Sequence, residues 1–123
     1  MAKRLDDTVL DAALNIIKNG GTNVVFCSSD PVNYAGIAAV ALVTKTGLTS
    51  SNYTGPADDT SGRKLTVNAI TGMTPSENGT VTYVVVTNGS SILYAGTTVT
   101  SQAVTTAQTW DSPAFKIAIA DPA

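Results

Sequence analysis

The chain has no histidine and one cysteine, and its nine acids show no pair of carboxylates at the set spacings that general acid–base work uses. Catalysis near neutral pH draws on imidazole, a reactive thiol or clustered acids, and metal sites use the same residues. Their scarcity points away from an enzyme and away from any metal or cofactor. Charge is also scarce, at 13% of residues, and seven basic against nine acidic side chains leave a net charge of −2 and a pI near 4.7. Nothing here makes the basic footprint that a nucleic-acid backbone requires, so direct DNA or RNA binding is not expected. Long hydrophobic runs are missing too. The longest, 37–43, has seven residues and is far too short to cross a bilayer. The basic start, Met1-Ala2-Lys3-Arg4, is followed by Asp6, Asp7 and Asp11 rather than by an apolar stretch. That pattern predicts a soluble chain made in the cytoplasm, with no membrane partner.

What fills the space is hydroxyl: nineteen Thr and ten Ser in 123 residues. A surface built from Thr, Ser, Asn, Gly and Ala suits either an uncharged monomer or a subunit packed among neighbours, because charge is depleted from the buried part of a contact. The length fits a single domain, 1–123, able to bury a core without disulfide staples. Cys27, in the apolar run Val24-Val25-Phe26-Cys27, has no intrachain partner. It is either a buried, inert thiol or the site of a bond to a neighbouring subunit.

Residues 5–18 carry the helical pattern. Leu5, Val9, Leu10, Ala13, Leu14, Ile16 and Ile17 form one broad stripe, with Asp6, Asp7, Asp11, Asn15 and Lys18 largely opposite. Asp6 or Asp7 suits the free amides of the first turn, and Asn19-Gly20-Gly21 supplies residues tolerant of positive φ for the stop. The stripe covers one end of a sheet or packs on another copy. From 22 to 120 the chain favours strands: 22–28, 37–44, 63–69, 80–87, 91–95, 97–107 and 114–120, all rich in Val, Ile and Thr or in alternation. Segment 45–63 reads as a long loop with a short strand near 47–53, and 71–79 reads as a loop. Asn88-Gly89 between two β runs predicts a two-residue type I′ turn, which sets Tyr83 directly opposite Tyr94. The fold expected is mainly β, an antiparallel β-sandwich or small barrel of jelly-roll or immunoglobulin-like kind, with one N-terminal α-helix.

Three groupings invite chemistry. Asp58-Asp59-Thr60-Ser61, preceded by Asn52, offers oxygen ligands, but adjacent side chains diverge and calcium wants six to eight oxygens, so an exposed acidic tip is expected. Ser61-Gly62-Arg63-Lys64 lacks the spacing of a phosphate loop and leads into a strand. Its cations are expected to meet Asp58, Asp59 or acids of another subunit. The aromatics, Trp110 above all, would have to be exposed together to bind sugars or peptides; Trp110 instead suits a core cap or a subunit contact.

The order of an Ala- and Leu-rich helix, Cys27-Ser28-Ser29-Asp30-Pro31 then Tyr34, Thr60-Ser61-Gly62-Arg63-Lys64-Leu65-Thr66-Val67, Leu93-Tyr94-Ala95, Thr100-Ser101-Gln102 and Ile117-Ala118-Ile119-Ala120-Asp121-Pro122 resembles a family of small virion proteins of tailed bacteriophages. The resemblance spans nearly the whole chain and rests on turns and strand ends. It implies a β-domain behind a helix, present in many copies on the particle as a capsid decoration (cement) protein. Its partners would be the major capsid protein and copies of itself. No active-site residues come with it. A head-to-tail connector or tail component, and a carbohydrate-binding β-sandwich using Trp110 and the tyrosines, are the alternatives. The residues expected to meet a neighbour are Lys3, Arg4, Cys27, Tyr53, Arg63 and Trp110, with the helix face and loop 45–63.

Overall fold

A computed structural model describes residues 5–120. Lys3 and Arg4 lie outside the described residues. The chain opens with α1, Asp7–Gly20, whose N-cap Asp6 accepts a 2.8 Å bond from the Thr8 amide. That bond satisfies one of the donors a helix start leaves free, and it draws the Asp6 carboxyl below its ordinary range. At the far end the helix runs two residues beyond Lys18. Gly21 closes it by donating to the Ile17 carbonyl, with φ −77, so the expected left-handed stop is absent. Glycine is required there for space: a Cβ on Gly21 would meet Tyr53 Oη at 2.5 Å and Val86 at 2.7 Å.

Strands follow: β1 Asn23–Cys27, β2 Ala41–Lys45, β3 Tyr53–Asp58, β4 Arg63–Val67, β5 Ile70–Met73, β6 Gly79–Thr87, β7 Leu93–Val104, β8 Trp110–Ser112 and β9 Phe115–Ile119. They form antiparallel sheets ordered β2-β1-β6-β7, β3-β4-β9 and β5-β8. The fold is mainly β with an N-terminal helix, as expected. Its sheets face one another across a shared core and do not close into a barrel.

That core joins Leu14 and Ile17 of α1 to Val24 and Phe26, Leu65 and Val67, Ile70 and Met73, and Val81, Val84 and Val86. Phe26 sits at its centre, edge-on to Trp110 at 4.8 Å and to Phe115 at 6.3 Å between ring centroids. Such edge-to-face pairs contribute about 1 kcal/mol each beyond the area they bury. A second cluster lies on the other side of the four-stranded sheet. There Val25, Cys27 and Val85 are covered by Ile37, Val40, Ala41, Tyr83 and Leu93. Hence β1 is apolar on both faces, which explains its unbroken Val-Val-Phe-Cys run.

Several expected boundaries differ. Residues 37–40 are a helical turn, α2 Ile37–Val40, entered through a 3-10 turn at Tyr34–Gly36 whose cap Asn33 accepts from the Gly36 amide. Only 41–45 is strand, because the turn is what lays Ile37 and Val40 over Val25 and Cys27. Segment 45–63 holds a 3-10 turn, Ser50–Asn52, and then β3, displaced toward the C-terminus of the strand expected near 47–53. Segment 71–79 contributes to β5.

The β6–β7 hairpin forms, with a five-residue connection in place of a two-residue turn. Asn88 Oδ1 accepts from the amides of Ser90, Ser91 and Ile92, at 2.9–3.0 Å, and Gly89 takes φ +80. The side chain of Asn88 thus organises a wider loop than backbone bonds alone would make. Thr87 therefore pairs with Leu93 and Val86 with Ala95, which skips Tyr94. Tyr83 stands opposite Thr98 rather than Tyr94, and its ring lies across Gly96, where a Cβ would meet it at 2.7 Å.

Candidate functional site

Two polar side chains of α1, Asp11 and Lys18, are held by the β-sheet side of the chain. Arg63, at the start of β4, donates from Nε to Asp11 Oδ1 at 2.8 Å, from Nη2 to Asp11 Oδ2 at 3.1 Å and from Nη1 to Asp58 Oδ1 at 2.7 Å. Asp7 stands 4.0 Å away. One guanidinium thereby joins α1, β3 and β4, and its fork geometry is what lets it hold two carboxylates at once. The bonds to Asp11 and Asp58 raise the Arg63 pKa still further above its ordinary value. Lys18 reaches the Gly55 carbonyl at 2.8 Å. Lys116 on β9 holds both oxygens of Asp59, and with the Thr60 amide it keeps that carboxyl below the usual range. Asp58 and Asp59 therefore turn to different cations, as adjacent residues of a strand end should. Among the described residues no three acidic or thiol side chains gather as a metal centre.

Of the residues expected to meet a neighbour, three are committed inside the fold. Cys27 is fully buried, and burial, reinforced by the charge of Asp30, pushes its thiol up to about 11. A bond from it to another subunit would need β1 to open. Tyr53 is buried with its hydroxyl on the Gly21 carbonyl, and burial pushes that phenol up to about 12. Arg63 is spent on Asp11 and Asp58. The expectation that loop cations meet Asp58 or Asp59 holds for Arg63 with Asp58; the partner of Asp59 is Lys116, from a distant strand.

Trp110 is half-buried, with its indole N–H on Gln102 Oε1 at 2.8 Å. It forms the wall of a cleft of about 250 Å³ whose lining includes Phe26, Thr98, Thr100, Gln102 and Phe115. The cleft is open to solvent and carries no charged side chain, so it suits a neutral partner with one apolar face. The other tyrosines do not join it: Tyr53 is at the α1–β3 junction, Tyr83 and Tyr94 lie over glycines, and Tyr34 is on the outer turn.

The remaining surface is where sequence reasoning fell short. Val9 is 54% exposed, Ile16 61%, Val32 82% and Ile92 47%. Only Leu10, Leu14 and Ile17 of the helix stripe point inward. The signal was present in the sequence: apolar residues cover more of the helical wheel than one sheet contact can bury. Val32, at the tip of 28–33, holds φ +72, a region β-branched residues seldom enter, and its amide is bonded to Asp30 Oδ1. A valine there costs on the order of 1–3 kcal/mol, offset by that bond and by the Asn33 amide on the Pro31 carbonyl at 2.8 Å, which closes the turn around it. No helix among the described residues is long and apolar enough to cross a membrane. Comparison with protein-family models, with curated proteins and with solved structures finds no match.

Proposed function

We propose that this chain is a structural protein of a tailed-bacteriophage particle, a capsid decoration protein that stabilises the head through many modest contacts with the major capsid protein and with copies of itself. One observation carries the reading. Charged side chains are turned upon one another, Arg63 to Asp11 and Asp58 and Lys116 to Asp59, while Val9, Ile16, Val32 and Ile92 are left outside. An exterior of hydroxyls and isolated aliphatics favours adhesion. Each contact is weak, yet several engaged together act at high effective concentration. The resemblance to small phage virion proteins supports the same conclusion. The reading has no catalytic step, and it puts the chain on the virion.

The experiment is quantitative mass spectrometry on purified particles split into heads and tails. The chain is expected in the head fraction at many copies per particle. Enrichment with tails would give the connector or tail reading, and absence from particles would end both.

A second reading has its own observation, the uncharged, aromatic-walled cleft beside Trp110. In that reading the cleft takes a neutral sugar, stacked on Trp110 or Phe115 and bonded by Thr98 and Thr100. Glycan-array binding that Thr100→Arg abolishes, by filling the cleft from an exposed position, would favour it; a blank array would remove it.

A further inference from the structure

Asparagine followed by glycine is a chemically labile link, and this chain holds three: Asn19-Gly20, Asn78-Gly79 and Asn88-Gly89. The cause is steric. With no side chain on the second residue, its backbone nitrogen can reach Cγ of the asparagine, closing a five-membered imide and expelling the side-chain nitrogen. That nitrogen leaves as ammonia, carrying the proton of the backbone amide; water then opens the ring at either carbonyl to leave aspartate or isoaspartate. No oxidant or cofactor enters. What a fold decides is whether the two reacting atoms can come to a near-attack distance of about 3–3.5 Å.

The three pairs are held differently. At Asn88 both reacting groups are tied down: Oδ1 accepts from the amides of Ser90, Ser91 and Ile92, and the Gly89 amide donates to Thr87 Oγ1 at 3.1 Å. Turning Cγ toward Gly89 breaks these bonds together. At Asn19 the Gly20 amide belongs to the last turn of α1, where it donates back along the helix, and the Tyr94 hydroxyl fills the space a Cβ would take on Gly20. Asn78 has neither restraint. It is exposed, lies outside helix and strand, and its side chain makes one bond, accepting from the Thr106 amide at 2.8 Å. Its Nδ2 has no hydrogen-bond partner among the described residues. Gly79 is the first residue of β6, and strand ends open most readily.

We propose that Asn78 is a spontaneous modification site of the folded protein, converting to aspartate and isoaspartate while the fold holds Asn19 and Asn88 back. The product changes its surroundings. Residues 78–110, which include β6 and β7, carry no charged side chain, so the new carboxylate is the first charge in that stretch and stands beside Glu77. Isoaspartate also lengthens the main chain by one methylene at the entry to β6, where Asn78 now holds the Thr106 amide. The inference goes beyond the virion reading and does not rest on it.

Ageing the intact chain in neutral buffer, folded and in unfolding urea, tests this by peptide mass spectrometry. Cleavage after Lys18 and after Tyr83 puts the three asparagines on separate peptides. In urea all three are expected to convert at similar rates, because the local sequence is then the same Asn-Gly. On folding, Asn78 is expected to slow by less than about fivefold, the cost of one hydrogen bond, and Asn19 and Asn88 by more than about twentyfold, since several bonds must open together. Thr87→Val keeps the shape of a buried side chain but removes the acceptor of the Gly89 amide. It is expected to quicken conversion at Asn88 several-fold, with Asn19 unchanged.

Conversion at Asn19 or Asn88 that keeps pace with Asn78 in the folded chain overturns the proposal, as does an equal slowing of all three on folding. A Thr87→Val chain that ages like its parent would overturn the account of Asn88, because its amide would then not be what the loop holds.

Discussion

The hydroxyl of Tyr53 donates to the carbonyl of Gly21 across 2.5 Å, tying the first residue of β3 to the C-terminus of α1. Both partners are buried, so the carbonyl has no water to turn to if the hydroxyl is lost. Tyr53→Phe is expected to destabilise the fold by about 1–2 kcal/mol. Gly21→Ala should cost about as much or more, because the added methyl collides with the same ring, with Val86 and with the Ile17 carbonyl. Urea unfolding of the two single variants and the double variant checks this; the double variant should cost less than the sum of the two singles, because both break one contact.

Arg63 predicts a division between Arg and Lys. Arg63→Lys keeps the charge but cannot span Asp11 and Asp58 together, so α1 loses its hold on the β3–β4 end. Amide exchange in 7–20 is expected to quicken for Arg63→Lys and more for Arg63→Met, with β1 and β6 unchanged. Exchange that rises evenly over the whole chain would mean that Arg63 holds no particular element.

Alkali should unfold the protein in a defined window. The thiol of Cys27 and the phenol of Tyr53 ionise near 9.0 and 10.0 when unfolded and near about 11 and 12 when folded. Between those limits the unfolded chain holds fewer protons, so rising pH favours it. Stability is complete below pH 9 and falls from there toward pH 12. Urea midpoints at several values between pH 8 and pH 11 measure the slope. Cys27→Ala should flatten its lower part and Tyr53→Phe its upper part, while native Cys27 stays unreactive to thiol reagents at pH 8.

Asn88 predicts an acceptor rule at the β6–β7 connection. Its Oδ1 serves three amides, so Asn88→Ala should cost about 1–2 kcal/mol, whereas Asn88→Asp keeps the acceptor and much of the stability. Thermal midpoints of the two variants, compared with Gly89→Ala, separate the side-chain contribution from that of the positive φ.

Where polarity alternates or β-branched residues run together, as in β4, β6 and β9, the sequence was legible. It failed at 37–43, since an apolar run of that length fits a strand or a buried helical turn equally, and what decides is the uncovered outer face of β1. The hairpin was legible as a pairing but not in register, because Asn88 bonds its own loop and thereby lengthens it. Arg63 with Asp58 was legible from proximity in sequence. Arg63 with Asp11 and Lys116 with Asp59 were not, being separated by more than fifty residues. Which helix residues face outward was beyond the sequence for a plainer reason: seven apolar positions competed for an inner face that holds three.

Because β1 is wrapped in hydrocarbon on both sides, a shift by one residue would trade valine for valine and carry little penalty in polarity, unlike the same shift in an ordinary half-wet strand. Bulk has to set the alignment instead. Phe26 fits only where Trp110 and Phe115 leave a slot, and Cys27 only where α2 leaves little depth. The benzyl ring therefore works as the tooth of a key: trimmed to Phe26→Val, the strand should rattle between neighbouring alignments and show doubled amide resonances rather than a merely looser interior.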